Sequence, residues 1–140
     1  MATIDVKPIV LRDCKLTISL EEASADYEKH VSGVTFTPSS GTVNWNGLSP
    51  DASFTFPTAT TWGAQLDYAQ DWETASSLSR YLYDNEGKQV TMLFEPKAGG
   101  LGWEVDVFIA PGSIGGQVNT VATSTVTLGV VGKPRPVPAV

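Results

Sequence analysis

Residues 89–110 read QVTMLFEPKAGGLGWEVDVFIA, and two alternations within them decide the fold class. In residues 89–95, Val90, Met92 and Phe94 fall on one side of the chain. Pro96 and the Gly99-Gly100 pair then break the segment with turn chemistry. In residues 102–110, Trp103, Val105, Val107 and Ile109 alternate against Glu104, Asp106 and Phe108. A period of two is the spacing of a strand, whose successive side chains point to opposite faces. The stretch therefore predicts two strands joined by a glycine turn.

Downstream, Pro111-Gly112 and Gly115-Gly116 are turn signals, and residues 117–131 form a long Thr/Val strand or hairpin arm. Lys133-Pro134-Arg135-Pro136-Val137-Pro138 reads as a polyproline-like tail that joins no sheet, because proline brings no backbone donor. The expected division is one β-rich domain over 1–133 and a Pro-rich tail over 134–140. Upstream lies the one helical pattern. Asp71 is its expected N-cap, Glu73 sits in its first turn and Gly87 stops it. Between them Ala75, Leu78, Tyr81 and Leu82 make an apolar stripe along a helix of about 13 residues.

Strand patterns fill the rest. Residues 9–20 alternate over their whole length, with Val10, Cys14, Leu16, Ile18 and Leu20 on one side and only Arg12 breaking the apolar face. Glu21, Glu22, Asp26 and Glu28 form an acidic loop or strand tip. Residues 30–38, 42–45, 53–57 and 61–68 each read as strands, with Asn46-Gly47 a turn that Leu48 to Asp51 lengthen. This order predicts a mainly β chain: a two-sheet β-sandwich or partly closed barrel with one flanking α-helix.

Composition narrows the function. At 140 residues the chain fits one domain. Nine Lys and Arg against 15 Asp and Glu give a net charge of −6, which disfavours a phosphate-binding surface. The charge is also unevenly spread: Asp51 is the single charge in residues 32–66, and residues 107–132 carry none. Long charge-free Thr, Ser and Val strands suit surfaces that meet other protein. Cys14 and His30 are each alone in their class, so no zinc set can be assembled. No apolar run reaches signal-peptide or membrane-span length, and the expectation is a protein kept inside the synthesising cell unless it leaves within a particle.

Candidate chemistries reduce to structural readings. Glu104 and Asp106 share a strand face, as a glycosidase pair would, but also as any amphipathic strand does. Asp67, Asp71 and Glu73 fit no calcium-loop spacing. The glycines at 99, 100 and 102 do not precede a helix and so make no phosphate cradle. Trp62 and Trp103 read as core and Trp72 as a staple for the helix; Trp45, beside a turn, is best placed for a surface contact. No enzyme, cofactor or metal is expected.

Four stretches together resemble the major tail tube proteins of long, non-contractile (siphovirus-type) phage tails, most of all those of actinobacterial hosts. They are residues 62–87 (WGAQLDYAQDWETASSLSRYLYDNEG), 90–96 (VTMLFEP), 100–108 (GLGWEVDVF) and 122–132 (ATSTVTLGVVG) with the Lys133-Pro134 exit. The resemblance spans roughly residues 13–134 and is one of element order, size and texture. It implies a β-sandwich shared with phage tube proteins and type VI needle tubes, forming hexameric rings that stack into a DNA-conducting tube. It further implies a virion location, assembly in the host cytoplasm, partners such as the tape measure and terminator, no membrane, and a lumen through which DNA slides unbound. In that setting Glu21, Glu22, Asp26 and Glu28 are the candidate acidic lumen, and Trp45, Leu48 and Phe54 the candidate ring-stacking anchors. The alternatives are a tail terminator or head–tail joining ring protein, and a monomeric carbohydrate-binding β-module built on the tryptophans.

Overall fold

The computed structural model describes residues 2–20, 23–97 and 99–138. Its elements in chain order are β1 (Lys15–Leu20), β2 (Ala23–Asp26), β3 (Val31–Ser39), β4 (Thr42–Asn46), β5 (Ser53–Pro57), β6 (Thr61–Ala69), α1 (Leu78–Asp84), β7 (Gln89–Glu95), β8 (Gly102–Phe108) and β9 (Thr123–Val137). Seven strands form one antiparallel sheet in the order β2-β1-β7-β8-β9-β6-β3, while β4 and β5 pair as a separate two-stranded sheet. The mainly β chain with two sheets and one helix matches the sequence expectation.

Register explains which face goes inward. Ile18 pairs Met92 and Met92 pairs Val105; Leu66 pairs Val126 and Ala64 pairs Leu128. All of these are buried. Their neighbours Gln65, Thr125 and Thr127 point the other way and are exposed. A shift of one residue would turn the whole apolar set outward, so burial fixes the register. The sheet then curls on itself. Phe36 of β3 and Phe94 of β7 lie far apart in strand order, yet their rings meet edge to face at 6.1 Å. Leu78 and Leu82 of α1 join the same core. Each fully buried side chain of this kind contributes about 1.5–3 kcal/mol.

Five expectations are corrected. The strand expected over 9–20 begins at Lys15, and residues 9–13 are exposed and irregular. Its partner β7 ends at Glu95, opposite Lys15, and Pro96 offers no further donor. The helix spans seven residues and not about 13, with Ser77 as its cap. Asp71 does cap, but it closes a separate turn: its Oδ1 accepts from the backbone N–H of Glu73 and Thr74. The Ser77 hydroxyl donates back to the Asp71 carbonyl and accepts from Arg80 N–H, so the helix starts afresh there. Ala75 therefore stands exposed outside the helix.

The Pro-rich segment, expected to stay out of any sheet, continues β9 to Val137, with Trp103 opposite Pro136 and Gly102 opposite Val137. Pairing with β6 stops at Gly129, so beyond it β9 borders β8 alone. One side of the strand is then a free edge, where a missing N–H costs nothing. The expected strand over 117–131 starts only at Thr123.

Replacing Leu66, which is fully buried, by alanine should lower stability by about 3 kcal/mol in urea unfolding. A loss under about 1 kcal/mol would show that this row does not carry the core.

Candidate functional site: an amphipathic hairpin and the far end of the sheet

Between β3 and β6 the chain leaves the main sheet and returns as the β4–β5 hairpin. Its root is closed by Gly41 N–H donating to Thr58 Oγ1 at 3.0 Å and Thr58 N–H donating to the Gly41 carbonyl at 2.8 Å. Register sorts its side chains into two faces. Val43 pairs Phe56 and Trp45 pairs Phe54, on one side; Thr42, Asn44 and Asn46 with Ser53, Thr55 and Pro57 make the other. On the polar side Thr55 Oγ1 donates to Asn44 Oδ1 at 2.8 Å. On the apolar side the Trp45 and Phe54 rings lie 6.0 Å apart.

This is the pattern of strands with one face on a core. Here that face is open: Trp45 is 59% exposed, and Val43, Phe54 and Phe56 are half exposed or more. At the tip Leu48 is fully exposed. Gly47 N–H donates to the Ala52 carbonyl at 2.6 Å to close the turn. A Cβ at Gly47 would sit 2.8 Å from Ala52 Cβ and 3.0 Å from the Trp45 ring, so only glycine lets the indole lie over the turn. The three expected anchors, Trp45, Leu48 and Phe54, thus stand together on one element. Val43 and Phe56 belong with them, and the alternation at 43/45 and 54/56 was the signal for both.

The opposite end of the sheet carries a second apolar area. Gln70, just past β6, ties it together. Its Nε2 donates to the carbonyls of Gly115 and Thr123, both at 2.8 Å, and its Oε1 accepts from Gly115 N–H at 2.9 Å and Trp72 Nε1 at 3.2 Å. Trp72 meets the Tyr83 ring edge to face at 6.4 Å. Ile114 and Val118 beside them are 67% and 87% exposed.

Glu21 and Glu22 lie outside the described residues. Asp26 ends strand β2, as the strand-tip alternative has it, and accepts from Thr17 Oγ1 at 2.7 Å. Glu28 is exposed just beyond it, at the sheet's outer edge.

Glu104 and Asp106 do share a face, but Arg135 of β9 binds both, at 2.9 and 3.4 Å. These contacts, led by the Glu104 hydrogen bond, hold the guanidinium's pKa above its ordinary value. Asp67 is engaged by Thr125 Oγ1 at 2.7 Å, and Asp71 by its own turn. Among the described residues no group of three His, Cys, Asp or Glu could hold a metal. The expectation that Trp62 and Trp103 are core is corrected: they line an open cleft with Val34, Phe36, Phe94, Pro96 and Pro134. That lining offers a sugar's hydroxyls only two indole N–H groups among its side chains.

No protein-family model and no curated protein sequence matches the chain. Solved structures do. A chain of an extracellular contractile injection system, the PVC sheath–tube complex in the extended state, superposes with a TM-score of 0.63 at 15% identity, covering 95% of this chain and 93% of that one. A chain of the six-fold symmetrised baseplate of the anti-feeding prophage (AFP) gives 0.62 at 14% identity over 96% and 98%. A chain of the PVC sheath/tube terminator in the extended state gives 0.56 at 18% identity over 94% and 97%. The fold is therefore that of chains found in contractile injection particles.

Gly47→Ala should shift Trp45 fluorescence while leaving the urea midpoint within about 1 kcal/mol of wild type, since the hairpin lies off the core. An unshifted spectrum would refute the close packing at the tip. A second test concerns Asp71, whose hydrogen bonds, Thr74 first, hold its carboxyl below the ordinary value. A depressed folded pKa contributes stability above the unfolded value of about 3.9 and loses it as pH falls through the folded one. Asp71→Asn keeps the cap but not the charge, so its acid unfolding limb should be shallower than wild type below about pH 4. Superimposable limbs would exclude this contribution.

Proposed function

We propose that this chain is a structural subunit of a tail-like tube, assembling with copies of itself into rings that stack around a DNA-conducting lumen. The observation that carries the proposal is the hairpin: an amphipathic strand pair whose apolar face no described residue of its own chain covers. An isolated two-stranded hairpin is marginal in water. Five large apolar side chains on one such element mark a surface that a second protein covers. The fold shared with chains of a sheath–tube complex and a baseplate supports the same reading.

Within it, Trp45, Leu48 and Phe54 are the ring-stacking anchors, joined by Val43 and Phe56. Six-fold rings are the proposed closure, in keeping with the six-fold symmetrised baseplate. The tape measure and a terminator are the proposed partners, and the virion, assembled in the host cytoplasm, the proposed location. The excess of acidic residues suits a wall that repels phosphate, with Glu21, Glu22, Asp26 and Glu28 as the lumen candidates. The siphovirus-type tail of an actinobacterial phage is the proposed source, carried by the sequence resemblance alone. A second reading, a terminator or joining protein that forms a single ring, is favoured by the likeness to a chain of the sheath/tube terminator structure.

Negative-stain electron microscopy across rising concentration tests this. Hollow tubes with an axial repeat are expected; isolated rings would favour the terminator reading, and monomers throughout would count against both. The double variant Trp45→Ser, Phe54→Ser should raise the assembly concentration at least about tenfold without moving the urea midpoint. Unchanged assembly would remove the hairpin from the interface.

A further inference from the structure

The hairpin leaves the main sheet where β3 ends and β6 begins, at Ser39 and Thr61, which pair. Trp72, Tyr83, Ile114 and Val118 lie beyond the other end of β6, past Ala69. At about 3.3 Å per residue, β6 holds the two apolar areas roughly 25 Å apart. One chain thus presents an apolar projection at one end and an apolar shelf at the other.

We infer that this shelf is the receiving site for the hairpin of a second copy. The inference rests on the stacking reading above and supplies the surface that reading lacks. Contacts between unlike ends of identical chains are heterologous; where the rotation relating the copies does not close a ring, they repeat along an axis. A hairpin docked against another hairpin would instead make a two-fold pair and stop.

Size and charge both fit. The hairpin's five apolar side chains offer on the order of 500 Å², most of the roughly 800 Å² one partner gives to a stable interface. The hairpin has one charge, Asp51, in its tip turn. The shelf has a cation for it: Arg80 of α1 lines the pocket with Trp72, Tyr83 and Ile114. Asp84 lines that pocket too, but Arg80 makes no ion pair with it or with any other described residue.

The shelf is also held in place. Gln70 fixes Gly115 and Trp72 through the bonds described above, which positions both the indole and the 110–122 segment. At the root of that segment Gly112 passes so close to Tyr68 Oη and Ser124 Oγ that a Cβ would collide with them. Gln70 is a positioning residue on this account.

Cysteine cross-linking of the full chain tests the inference, with a Cys14→Ser background and a short bis-maleimide. Leu48→Cys combined with Val118→Cys in one chain should give a ladder of species extending beyond dimer, while either alone gives none. A dimer from Leu48→Cys alone would overturn the inference in favour of hairpin-to-hairpin docking. Tubes by microscopy with no ladder would overturn it while leaving the tube reading intact; no oligomers of any kind would overturn both. A charge swap provides the independent readout. Asp51→Arg and Arg80→Asp should each raise the assembly concentration about three- to tenfold, and the pair together should restore it. Additive losses in the double variant would separate these residues and refute the docking.

Discussion

The ladder of β6, β9 and β8 is the constraint on which everything else depends. β6 pairs β9 from Gly63 to Ala69, and β9 pairs β8 over Gly102 to Phe108. Once Leu66, Val126 and Val107 point inward, every other residue of these strands is committed to one side or the other. The curl that brings Phe36 to Phe94 follows, since the apolar face of a single sheet has no second large sheet to lie on and must close over itself. The short helix adds Leu78 and Leu82 to the same enclosed space.

The same ladder sets the two ends of the molecule. Because β6 runs unbroken from Thr61 to Ala69, the hairpin at its start and the Gln70 hub just past its end are held at a fixed separation by backbone hydrogen bonds. A contact between such ends inherits the rigidity of the sheet. Loops alone would not provide it, because their positions cost conformational entropy to fix.

The hairpin shows how a local pattern can be satisfied without local burial. Val43, Trp45, Phe54 and Phe56 have the alternation of a half-buried strand pair, and the chain forms that pair even though its apolar face meets solvent. The Thr55–Asn44 bond and the closed root hold the backbone in register. Leaving such a face open is unfavourable in a monomer. Its presence is therefore the strongest single pointer to assembly.

Alternation alone located the strand 89–95, a strand expected over 102–110 that ends at Phe108, and the inward sets Val90, Met92, Phe94 and Val105, Val107, Ile109, because a two-residue period is written in side-chain polarity. It also turned Trp103 inward, which the structure leaves at an open cleft. What it could not determine was where pairing stops. Residues 9–14 alternate as well as 15–20 do, yet β1 begins at Lys15 because its partner runs out at Glu95. Lys133 to Val137 looked unable to join a sheet, yet extends β9 because one side of that strand is a free edge. Asp71 looked like the helix cap, yet a serine six residues later took that place by bonding both Asp71 and Arg80. Strand ends, free edges and the placing of Trp72 beside Ile114 are properties of neighbours distant in sequence, and only the tertiary structure brings those neighbours together.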